Sequence, residues 1–111
     1  METSGMPSAR FWRDFSQRLV FHMHRVEMDD YPTICKELVS AFALTPESGM
    51  VLGFDVVFQD YRSGNFVVGL EWDIWMGFIV VAKSQAAEPL VGAIGEYLLK
   101  SKWASPSVLA K

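Results

Sequence analysis

An α+β fold is predicted from three observations: apolar residues three and four apart in two N-terminal stretches, three consecutive alternating runs between Val51 and Lys83, and a last helical pattern after Pro89. The predicted order is helix, helix, three-stranded antiparallel meander, C-terminal helix, with the helices packed mainly on one sheet face. The chain has 111 residues, half of them apolar, which suffices for one buried core. Residues 8–103 are expected to form a single α+β domain. Residues 1–7 and 104–111, rich in small and polar types without periodicity, are expected to be poorly ordered tails.

The first helix is predicted from Ser8, a suitable N-cap, because Phe11, Phe15, Leu19 and Met23 recur four apart with Trp12 and Val26 widening the stripe. Asp29, Asp30, Tyr31 and Pro32 end it and begin a second, since acids favour a helix N-terminus and proline its first turn. Ile34, Cys35, Leu38, Val39 and Phe42 form the second stripe, and Thr45 to Gly49 reads as a loop. After Pro89, Leu90, Val91, Ile94, Tyr97 and Leu98 mark the final helix. Gly92 and Gly95 lower its propensity and imply close packing of another backbone there.

In the first strand, Leu52, Phe54, Val56 and Phe58 alternate with Gly53, Asp55, Val57, Gln59 and Tyr61, and the even-numbered face is assigned to the core. Phe66, Val68, Leu70 and Trp72 repeat the pattern, followed by Met76, Phe78, Val80 and Ala82. Arg62, Ser63 and Gly64 suit a three-residue hairpin, with Gly64 in the left-handed position. That register sets Phe58 against Val68 and Asp55 against Glu71. With Asp73, Ile74 and Trp75 as the next turn, Glu71 faces Gly77. Val51, Val57, Val67, Ile79, Val81 and Trp75 make the second face too apolar for a plainly solvated surface, so a helix or another protein is expected to cover it.

Net charge is −3, which opposes general binding to phosphate backbones and favours basic partners. Arg10, Arg13, Arg18 and Arg25 have acids around them and read as a solvated helix face. The single cysteine, Cys35, is expected in the core. The longest apolar run, Trp75 to Ala82, is far below the ~20 residues of a membrane span, and no secretion signal is evident, so a cytoplasmic location is expected.

Opposed carboxylates at Asp55 and Glu71, with Asp73 one step along, repel each other and need a compensating cation. Two or three carboxylates without histidine are too few for magnesium or calcium. His22 and His24, two apart on a predicted helix, cannot chelate together. No catalytic residues, metal or cofactor are assigned. Asp55, Glu71, Asp73, Trp75 and Tyr61 are assigned instead to partner binding, the acids meeting Lys or Arg and the aromatics anchoring beside them.

Gly69, Leu70, Glu71, Trp72 and Asp73, then Gly77, Phe78, Ile79, Val80 and Val81, resemble hairpins of small bacterial immunity proteins, which neutralise contact-delivered toxins. The likeness covers this hairpin alone. It implies a non-enzymatic inhibitor that occludes the active site of a cognate toxin, for example a nuclease with a basic surface, without contacting nucleic acid or membrane itself. A secretion chaperone or adaptor, homodimeric through the apolar outer sheet face, is the alternative. A small enzyme using Asp55 and Glu71 as acid and base is a third reading.

Overall fold

The computed structural model describes residues 9–104, which form an α+β fold of two α-helices and a seven-stranded antiparallel sheet. In chain order the elements are β1 (Ala9–Arg13), β2 (Leu19–Met23), α1 (Tyr31–Phe42), β3 (Thr45–Pro46), β4 (Val51–Leu52), β5 (Val56–Ser63), β6 (Phe66–Asp73), β7 (Gly77–Ala82) and α2 (Glu88–Leu99). The sheet runs β1-β2-β7-β6-β5-β3, with β4 also on β5. The expected tails at 1–7 and 105–111 lie outside the described residues, and Ala104 is buried. No helix among the described residues is long and apolar enough to cross a membrane.

The expected first helix is instead the β1–β2 hairpin, and the sheet is correspondingly larger than a three-stranded meander. Its turn is built by Asp14: the Asp14 N–H donates to Arg18 O at 3.0 Å, Gln17 N–H donates to Asp14 O at 2.9 Å, and the Asp14 carboxylate accepts from Ser16 and Arg18 N–H. Gln17 takes the left-handed position at φ +66. The four-residue spacing of Phe11, Phe15, Leu19 and Met23 therefore arises from two strands and their turn, and Phe15 at the tip is fully exposed. Leu19 to Met23 pairs with β7 as well as β1, and this long-range partner outweighs local helical periodicity.

Both α-helices begin where proline permits, with Pro32 and Pro89 in their first turns. Helix α1 ends at Ala43, which adopts φ +54 and ψ +47. Tyr31, Ile34, Cys35 and Leu38 of α1 and Val91, Ile94 and Leu98 of α2 enter one core cluster with Phe21, Met23, Val68, Leu70, Trp72, Phe78 and Val80 of the sheet. Buried polar groups are paired: Tyr31 donates its hydroxyl to Leu70 O, and the Trp72 indole donates to Val26 O at 2.8 Å. Gly95 lies on the rings of Phe11 and Phe21, so close packing there is against aromatic side chains; a Cβ at Gly92 would meet nothing within 4 Å.

Candidate functional site on the outer sheet face

Cross-strand pairing orders the two faces as rows. On one side, Gln59, Leu70, Val80, Phe21 and Phe11 form one row, and Leu52, Val57, Trp72, Phe78, Met23 and Ala9 another. On the opposite side the rows are Val51, Phe58, Glu71, Ile79, His22 and Arg10, then Asp60, Gly69, Val81, Val20 and Trp12. This outer side contains a groove of about 370 Å³, floored by Val20, Ile79 and Val81 and walled by Trp12, Met76, Asp14, Glu71, Asp73 and Lys83.

The expected Asp55–Glu71 opposition does not form. The β5–β6 connection is a two-residue turn, with Ser63 opposite Phe66 and Gly64 at φ +61 in the first turn position, the type II′ arrangement. Relative to the expected hairpin, the strands slip by an odd number, so β5 presents its odd residues to the core. Glu71 therefore lies opposite Phe58. Asp55 precedes β5, where its carbonyl accepts from Ile74 N–H at 3.2 Å. Tyr61, expected outside, is 7% exposed and in the core. The β6–β7 pairing also differs, with Glu71 opposite Ile79 rather than Gly77, but this even slip leaves β6 and β7 facing as expected.

Glu71 has the environment that makes an acid costly. Its side chain is 26% exposed, and Lys83 is its basic partner at 3.7 Å. Lys83 is shared with Asp60, at 3.5 Å. Burial raises the Glu71 pKa; Lys83 opposes the rise, while nearby Asp60 and Asp73 add to it. Gly69 makes the cluster possible, since a Cβ there would lie 2.9 Å from both the Glu71 carboxylate and the Lys83 stem. The pairs of Lys83 remain partly solvated and contribute about 1 kcal/mol or less each. Glu71 thus has a cation of its own chain beside it, although one ammonium serves two carboxylates.

Asp73 holds the end of the groove. Its carboxylate accepts from the backbone N–H of Trp75 at 2.9 Å and of Met76 at 2.6 Å, fixing the β6–β7 turn. Trp75 is thereby held 73% exposed, beside exposed Ile74, and Phe54, next to Asp55, is 96% exposed. Of the five residues assigned from sequence, Glu71 and Asp73 line the groove, Trp75 lies in the turn at its end, Asp55 contacts that turn through its carbonyl, and Tyr61 is on the other side of the sheet.

Trp12, Asp14, Met76 and Lys83 complete the groove and were not assigned to it from sequence. The Trp12 indole donates to His22 Nδ1 at 2.9 Å, which leaves the ring proton of neutral His22 on Nε2. His22 is 2% exposed, and burial, reinforced by Arg10 and His24, lowers its pKa. It stands on a strand, not on the predicted helix. The sequence signal was the apolar, β-branched and aromatic run Leu19 to Met23 beside the turn formers Asp14 and Ser16. Among the described residues, no three His, Cys, Asp or Glu side chains converge to hold a metal. No protein-family model, curated protein or solved structure matches the chain.

Proposed function

We propose that the chain is a cytoplasmic immunity protein that binds a cognate bacterial toxin, such as a nuclease, and blocks its active site with the outer sheet face. The observation that carries this reading is Glu71: a mostly buried carboxylate among acids, incompletely compensated by a shared lysine, at an apolar-floored groove. A guanidinium or ammonium group from a basic cleft compensates such a site better than water does. Trp75 and Ile74 supply apolar contact beside it. Electrostatic attraction sets the association rate, and the aromatic contacts set dissociation. Catalysis by an Asp55–Glu71 pair has no support in this register.

The test is calorimetric binding to the product of the adjacent reading frame, together with protection of cells expressing it. Glu71→Gln and Trp75→Ala each weaken binding by at least about tenfold without loss of fold. Asp73→Asn has a smaller effect, because an amide oxygen still accepts the turn hydrogen bonds. Unchanged affinity in the Glu71→Gln, Trp75→Ala double variant refutes the assigned surface.

A further inference from the structure

Independently of that reading, we infer that the outer edge of β1 pairs with the same edge of a second copy, giving a two-fold dimer with one continuous sheet. The opposite sheet edge is occupied by β3 and β4 on β5, whereas β1 has β2 as its single strand neighbour among the described residues. The Asp14 N–H to Arg18 O bond fixes the alternation along the hairpin. Trp12–Val20 and Arg10–His22 become hydrogen-bonded pairs, so the backbone N–H and C=O of Ala9, Phe11 and Arg13 turn outward.

These three residues are symmetric about Phe11. An antiparallel copy centred there sets Phe11 against its own equivalent and Ala9 against the partner's Arg13, so every outward donor meets an outward acceptor. On the outer face the same register brings Arg10 to the partner's Trp12, in the pair type where side chains approach most closely. A guanidinium over an indole is favourable there. Arg13 brings no net charge to the axis, because Glu88 pairs with it at 2.8 Å.

Helix α2 supplies a second observation. Glu88 reaches Arg13 and the Leu19 N–H, and Gly95 rests on Phe11, so this flank of α2 overhangs β1. Gly92 and Leu99, at four and eleven residues from Glu88, continue the flank. Leu99 is exposed, and Gly92 has open space where a side chain would stand. Among the described residues nothing requires glycine at position 92; a second α2 approaching across the axis does.

Sedimentation velocity of the full chain from about 1 µM to about 1 mM tests the dimer. Association rising with concentration is expected. Ala9→Pro removes an outward N–H without touching the β2 ladder, and Gly92→Arg blocks the helix approach from a solvent-facing flank. Each raises the dissociation constant at least about tenfold with unchanged circular dichroism. Gly92→Arg keeps the test valid should Ala9→Pro unfold. A monomer throughout the range, or a dimer indifferent to Gly92→Arg and to a folded Ala9→Pro, overturns the inference.

Discussion

Replacing glycine by alanine at positions 77, 64 and 92 is one chemical change in three settings, and the structure ranks the outcomes. Gly77 opens β7 at φ +78. A Cβ there would overlap the Met23 carbonyl oxygen and lie 2.9 Å from the backbone of His24. The left-handed backbone costs about 1–2 kcal/mol for a residue with a Cβ. The overlap is with backbone, so β2 and β7 must part where fully buried Met23 and Phe78 pair, at a further overpacking cost of about 1–3 kcal/mol. The total, about 2–5 kcal/mol, is a large share of the ~5–15 kcal/mol that stabilises an ordinary domain. Gly64 has φ +61 but open space, so Gly64→Ala costs about 1–2 kcal/mol from the backbone alone. Gly92→Ala, in a helix with space around it, gains about 0.5–1 kcal/mol. Urea unfolding followed by circular dichroism at low protein concentration measures all three. A Gly77→Ala loss no greater than that of Gly64→Ala refutes the backbone collision.

Glu71→Gln is expected to stabilise the protein at neutral pH. A carboxyl whose pKa is raised on folding binds its proton more tightly in the native state, so stability falls as pH climbs through the unfolded pKa toward the folded one. The variant's advantage in Tm is full at pH 7 and vanishes below about pH 4, and a pH-independent difference contradicts this. Trp72→Phe leaves Val26 O buried without its donor and lowers unfolding free energy by about 1–3 kcal/mol. Burial pushes the Cys35 thiol up to about 11, so native protein at pH 8 reacts with a disulfide reagent more than about tenfold slower than unfolded protein.

The two helices were legible because their signals are local: Pro32 and Pro89 set the starts, and stripes such as Ile34, Cys35 and Leu38 have a single period. The N-terminal hairpin was hidden because β2 owes its state to β7, far along the chain, while a five-residue turn happened to preserve helical spacing. Site geometry was less legible still. Reading Gly64 as the third residue of a longer turn, rather than the first of a two-residue turn, exchanged the faces of β5 and moved Tyr61 inside. Glu71 and Asp73 kept their side because the β6–β7 slip was even. Lys83 lies beside Glu71 because its stem crosses the gap left at Gly69, a cross-strand contact that no local spacing encodes.

The pairing of β2 with β7 also dictates the route by which the chain reaches its native state. Each terminal-side hairpin can zip from its own turn, but their junction must close a loop of about half the polypeptide before Val20, Phe21 and Met23 find Val81, Val80 and Phe78. That docking is expected to be the slow, entropy-limited event. Contacts across this seam form as that step proceeds, so weakening them is expected to slow refolding as well as to accelerate unfolding.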